Sequence, residues 1–135
     1  MHRDLTPDNI ILKADGSVFL IDFGAANEFV GQATGTMIGK QCYIAPEQLR
    51  GKGSQASDFY ALGGTLNYLL TGDDPEPLSV SRPKEKHSQI SQGCSDLVSS
   101  LTAYEYSERP SSAAEVLNLL VRLDTDSGIA KAGKK

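Results

Sequence analysis

Three short groups of residues carry types and spacings that could do chemistry. The chain opens on His2-Arg3-Asp4-Leu5, and Asn9 follows Asp4 by five positions. A loop that holds a carboxylate and an amide close together could orient a hydroxyl and give a hard cation oxygen donors. Asp22-Phe23-Gly24 is the second group and Ala45-Pro46-Glu47 the third. Each group alone fits a polar turn or a strand end as well as it fits a site.

The elements that must position them can be read from pattern. Residues 1–9 have no hydrophobic period and read as a loop. Ile10–Lys13 and Val18–Ile21 are short apolar runs around the turn signal Ala14-Asp15-Gly16-Ser17, which predicts a β-hairpin. Residues 22–44 are rich in Gly, Thr and Ala and have no period. A loop of that length inside a compact domain is usually functional. A short helix is expected over 45–49, ending near Gly51. Residues 57–70 are apolar nearly all round, which predicts a helix buried on every side and stopped at Gly72. The proline-bearing stretch 73–93 reads mostly as loop. Leu97, Val98 and Leu101 predict a helix over 95–104. Ser112 and Glu115 form a capping-box pattern, and the helix behind it is expected to bury Val116, Leu117, Leu120 and Leu123. From Asp124 the chain turns small, polar and Lys-rich, as a tail or linker does. No internal repeat is visible.

Composition sets the frame. The 135 residues suffice for one domain with a real core. With 39% hydrophobic and 22% charged residues and a net charge of −4, the chain has no basic footprint for nucleic acid. Cys42 and Cys94 match no metal spacing and suit unpaired thiols in a reducing, cytoplasmic compartment. No apolar run reaches membrane-spanning length, and the first residues are too polar for a signal peptide.

Taken together and in order, the three groups resemble the protein-kinase signature set. Thirteen positions separate Asn9 from Asp22, with the hairpin between them. Asp58 with Tyr60-Ala61-Leu62-Gly63 looks like the start of that family's central helix, and Glu108-Arg109-Pro110 like its late Arg motif. The wording Thr-Pro-Asp-Asn and Tyr-Ile-Ala-Pro-Glu-Gln is similar to bacterial members, those of cyanobacteria among them. The resemblance runs from Met1 to about Leu123. It implies an α+β, mainly α fold: a protein-kinase-like C-lobe of a β-hairpin plus a helical bundle, with the N-lobe absent. Residues 1–123 would be a partial kinase domain and 124–135 a polar tail or linker start.

The resemblance also assigns roles. It implies serine/threonine phosphorylation of a protein substrate with ATP and Mg²⁺. Asp4 would take the proton of the acceptor hydroxyl. Asn9 and Asp22 would hold Mg²⁺ against the ATP phosphates. Ile11 would form the apolar floor under adenine. Arg3 would pair with a phosphate on Thr34 or Thr36, where adjacent glycines are expected to loosen the loop. Glu47 and Arg109 would form a buried ion pair. Asp58 would hydrogen-bond the catalytic-loop backbone. His2, Phe23 and Gly24 would serve packing and shape.

Two positions depart from the family pattern. A Lys usually stands two residues after the catalytic Asp, and here it is Thr6. A Thr usually opens the substrate loop, and here it is Lys40. The family fold points both side chains at the catalytic Asp, so an exchange of roles is expected, with Lys40 supplying the ammonium and Thr6 the hydroxyl. The Gly-rich loop, strand Lys and helix Glu that grip ATP in the family are not in this sequence. The expectation is a C-lobe portion that is incompetent alone and self-associates through exposed apolar surface. The competing expectation is a non-catalytic interaction fragment or pseudokinase-like module.

Overall fold

The computed structural model describes residues 5–21 and 41–127. The first described element is a 3-10 turn, Pro7–Asn9, followed by β1 (Ile10–Leu12) and β2 (Val18–Leu20). The strands pair antiparallel, with Ile11 opposite Phe19. The turn between them forms because the Asp15 carboxylate accepts from the Ser17 amide at 2.9 Å and the Ser17 hydroxyl at 2.7 Å. Gly16 takes φ +93° there, a value that favours glycine.

Two short 3-10 segments come next among the described residues, Gln41–Tyr43 and Pro46–Arg50. The second stands where a short helix was expected over 45–49. Pro46 opens it, and Gly51 closes it with φ 74°.

Helix α1 (Gln55–Thr71) is the centre of the fold. Ser54 caps it by accepting from the Ala56 amide at 3.2 Å, and Gly72 ends it with φ 82°. A short helix α2 (Pro83–Lys86) interrupts the expected loop at 73–93. Helix α3 (Gln92–Leu101) begins and ends earlier than the expected 95–104. Ser91 sets its start by accepting from the Cys94 amide at 3.1 Å. Helix α4 (Ala113–Ser127) runs across the expected domain boundary at 123/124.

The core lies between α1, α3 and α4. Phe59, Leu97, Leu101 and Val116 are buried in it, and Leu62, Leu66, Leu119 and Leu123 pack against it. Close approach of α1 and α3 depends on Gly63. A Cβ there would sit 2.6 Å from Thr102 Cγ2 and 2.8 Å from Leu101 Cβ.

Three sequence expectations need correction. Helix α1 is not buried on every side, because Tyr68, Leu69 and Leu70 in its last turn are exposed. Hydrophobicity makes a residue buriable, but burial also needs a neighbour. Helix α4 faces the core with Val116, Leu119 and Leu123, while Leu117 is 61% and Leu120 42% exposed. A stripe at i, i+3 and i+7 suffices to dock α4 on one side. The capping box is shifted: Ser112 Oγ accepts from the Glu115 amide, but Glu115 Oε1 reaches Ser111, at 2.9 Å to its amide and 2.8 Å to its hydroxyl.

Candidate active site

The site begins where α1 grips the chain just after Asp4. Thr65 Oγ1, in the middle of α1 and 1% exposed, donates to the Leu5 carbonyl at 3.3 Å. Thr6 and Pro7 then enter the 3-10 turn, and the Asn9 amide donates to the Thr6 carbonyl at 3.0 Å. Asn9 is 2% exposed. Its own carbonyl accepts from the Ile21 amide at 2.9 Å. The open end of the hairpin therefore holds Asn9 across from Ile21, the residue directly before Asp22. Ile11 stands on β1 with its side chain 46% exposed.

Thr6 is 3% exposed, and its Oγ1 has no hydrogen-bond partner among the described residues. His2, Arg3, Asp4, Asp22, Phe23, Gly24, Thr34, Thr36 and Lys40 lie outside the described residues.

A second centre ties the segment after residue 41 to the helices. Glu47 and Arg109 form a two-pronged ion pair: Nη1 donates to Oε2 at 2.7 Å and Nη2 to Oε1 at 3.0 Å. The remaining guanidinium hydrogens reach backbone. Nε donates to the Ala103 carbonyl at 2.8 Å, Nη1 to Ala56 at 2.8 Å and Nη2 to Tyr104 at 3.1 Å. All five N–H donors of an arginine are thus used. Ser57 Oγ adds a bond to Glu47 Oε2 at 2.7 Å, and the Tyr60 ring lies 5.0 Å from Arg109 Cζ. Burial pushes the Glu47 carboxyl up, but the Arg109 and Ser57 hydrogen bonds outweigh it and hold it below the ordinary value.

Tyr43 locks the same segment from the other end. Its hydroxyl donates to Asp74 Oδ1 at 2.8 Å, and its ring lies against Gly64. Burial, then the Asp74 carboxylate, push the Tyr43 hydroxyl pKa far up, so it stays a donor. The neighbouring Cys42 thiol is also raised, by burial first and the Asp74 charge second, so it is not an activated thiolate.

Asp58 stands half-buried in the first turn of α1. Thr65 was missed by sequence reasoning as a holder of the catalytic-loop backbone. Its signal was a hydroxyl among apolar neighbours in Ala61-Leu62-Gly63-Gly64-Thr65-Leu66. Tyr43, Ser57 and Tyr60 were missed as site supports.

Of the residues that would hold a hard cation, Asn9 is buried at 2% exposure, and Mg²⁺ prefers a few oxygen ligands together with phosphate and water. Among the described residues no cluster of three His, Cys, Asp or Glu could hold a metal by itself.

A hairpin leading into helices packed on one central helix, stapled by a buried Glu–Arg pair, defines a kinase C-lobe architecture. The family described as Protein kinase domain matches residues 1–120, and the chain belongs to that family. It is 37% identical to serine/threonine-protein kinase PknA of Nostoc sp., over 89% of this chain and 24% of that protein. It is 36% identical to serine/threonine-protein kinase C of Synechocystis sp., over 89% and 25%. It is 33% identical to serine/threonine-protein kinase PknB of Mycobacterium leprae, over 91% and 23%. The solved structure titled PpkA-294 apo form superposes with a TM-score of 0.71 at 25% identity, covering 89% of this chain and 46% of that one. The chain thus spans about a quarter of these curated relatives. Protein kinases use ATP and Mg²⁺ and act on protein substrates. Among the described residues no helix is long and apolar enough to cross a membrane.

Proposed function

We propose that this chain carries the catalytic loop and C-lobe of a protein serine/threonine kinase that moves the γ-phosphoryl group of ATP to a Ser or Thr hydroxyl. The observation that carries the reading is the loop at Leu5–Asn9, clasped by Thr65 of the central helix with Asn9 buried at its end. Phosphoryl transfer depends mainly on positioning and electrostatics, and a loop fixed on a core helix supplies position.

In this reading the acceptor oxygen bonds to phosphorus as the bond to ADP breaks, and the acceptor proton passes to the Asp4 carboxylate. Asn9 and Asp22 would hold Mg²⁺, which when bound neutralises charge on the phosphates. Ile11 lies under the adenine. Lys40 brings an ammonium to the site, and Thr6 a hydroxyl, in exchange for the usual arrangement. Arg3 takes a phosphate on Thr34 or Thr36 and so couples loop order to activation. Asp58 steadies the catalytic loop together with Thr65, and His2, Phe23 and Gly24 shape it. Glu47 and Arg109 brace the segment that faces the protein substrate. The two free thiols support a reducing, cytoplasmic setting.

The test is phosphate transfer from ATP–Mg²⁺ to a generic basic protein by the full-length gene product, beside its Asp4→Asn variant. Transfer by the wild type and none by the variant is expected. Equal rates for the two, or no transfer by either, would overturn the reading. The 135-residue stretch expressed by itself is expected to be far slower than its relatives, because it spans so small a share of them.

A further inference from the structure

The loop that leaves α1 carries two prolines, Pro75 and Pro77. A proline fixes its own φ and keeps the residue before it out of the helical region, so the bend of this loop falls after Pro77. Leu78 takes φ 57° there, and among the described residues it is the one non-glycine with a positive φ. Proline first and a positive φ second is the pattern of a type II turn, whose second central position ordinarily holds Gly or Asn. A leucine there brings its Cβ against a carbonyl oxygen, the clash that makes left-handed backbone unfavourable.

Bonds on both sides hold the turn. Ser79 Oγ donates to the Pro77 carbonyl at 3.2 Å across Leu78, and Tyr60 on α1 donates to the Ser79 carbonyl at 3.3 Å. Core packing does not account for the leucine. It is 39% exposed and is not among the side chains that pack on the α1–α3–α4 core. Strain kept at an exposed position points to a use for the side chain. The start of the loop shows what lies beside it. Asp74 accepts from the Tyr43 hydroxyl at 2.8 Å. Pro75 and the Tyr43 ring both close on Gly64, where a Cβ would meet them at 3.2 and 3.0 Å. The loop therefore runs along the segment Gln41–Arg50, read above as facing the protein substrate. Leu78 stands four positions after Asp74, within about 14 Å of chain, so a peptide crossing Tyr43 reaches it within about five extended residues.

We propose that Leu78 is a specificity-determining residue for the protein substrate, offering its exposed side chain to an apolar residue of the substrate a few positions from the acceptor hydroxyl. The inference deepens the kinase reading above and rests on it. Gly or Asn would build the same turn without the clash, but neither brings apolar surface to a bound peptide. The two prolines and the bonds to Tyr43 and Tyr60 hold the leucine in place before the substrate arrives, so little ordering is left for binding.

The test uses the full-length gene product with ATP–Mg²⁺ and a peptide library in which each position around a fixed Ser is varied in turn. Leu78→Gly, Leu78→Asn and Leu78→Met are compared with the wild type, with Asp4→Asn alongside. The wild type is expected to favour an apolar residue at one position. Leu78→Gly and Leu78→Asn should lose that preference and keep the others, while Leu78→Met should retain it. On the preferred peptide their KM should rise about three- to ten-fold with the KM for ATP unchanged, as burial of the exposed part of one leucine implies. Their unfolding midpoints should equal or exceed the wild-type value, because both residues accept a positive φ. A wild type indifferent to apolar residues at every position would overturn the inference. So would a lowered midpoint with slower transfer to every peptide, which would show that the leucine serves the fold. If Leu78→Gly and Leu78→Asn keep the preference while Asp4→Asn is dead, the Leu78 inference alone fails. If Asp4→Asn matches the wild type, or neither transfers phosphate, the kinase reading fails and takes this inference with it.

Discussion

Removing Arg109 should be the most damaging single change to the described fold. Its pair with Glu47 is fully buried, with side-chain exposures of 0% and 1%. Breaking a buried pair from one side costs about 3–5 kcal/mol, because the remaining charge stays buried without its partner. Arg109→Ala also strands the carbonyls of Ala56, Ala103 and Tyr104. That places the expected loss near the upper end, against a total stability of about 5–15 kcal/mol for a domain. Arg109→Lys keeps the charge but not the planar fork, and is expected to lose much of the same free energy. Urea unfolding followed by circular dichroism reads these losses. The double variant Glu47→Leu with Arg109→Met should be less damaged than Arg109→Ala, since it buries no lone charge. The pH dependence has a definite sign. The folded Glu47 carboxyl is depressed from 4.5, so its contribution is fully present above that value and is lost as pH falls through the folded one. A loss under about 1 kcal/mol for Arg109→Ala would mean the pair behaves as a surface pair, and the reasoning would be refuted.

Other substitutions probe the rest of the framework. Tyr43→Phe removes the bond to Asp74 and should cost about 0.5–1.5 kcal/mol, with Asp74→Asn as the second arm of a double-mutant cycle. Gly63→Ala should destabilise by about 1–3 kcal/mol, because the new Cβ meets Leu101 Cβ at 2.8 Å. Gly64→Ala should be milder, since its nearest contact is 3.0 Å, to the Tyr43 ring, and thermal unfolding would rank the two. Leu117→Glu with Leu120→Glu should change stability by about 0.5 kcal/mol or less, because both side chains are exposed. The same pair should reduce self-association at high concentration in sedimentation experiments if the outer face of α4 drives it.

Legibility differed by element for physical reasons. The hairpin could be read because Asp15, Gly16 and Ser17 announce their own turn, and those side chains do close it. Helix α1 could be read from its apolar run and Gly72. The face of α4 could not, since its apolar residues outnumber those that one docking side can cover. The start of α3 was hidden because Gly93 looked like loop, while the deciding group was the Ser91 hydroxyl. At the site, Glu47 and Arg109 were reached through motif resemblance, not through local pattern. The carbonyls that complete Arg109 carry no side-chain signature, so no reading of residue types could name them. Thr65 did leave a signal, a hydroxyl placed where an aliphatic side chain would otherwise pack.

The hairpin has a consequence for how the site is kept in order. All three side chains of β2 and two of the three in β1 are exposed. Two strands without a buried face are at best marginally stable in water. The hairpin can therefore open in local fluctuations that leave the helices intact, and its amides belong to the fast-exchanging part of the molecule. Asn9 sits at the seam, anchored on one side through the turn to α1 and on the other to Ile21. Whatever surface comes to rest on Leu12 and its cross-strand partner Val18 stabilises the closed hairpin by mass action. A grip on those two side chains is thus felt as order at Asn9, the proposed cation ligand at the end of the loop.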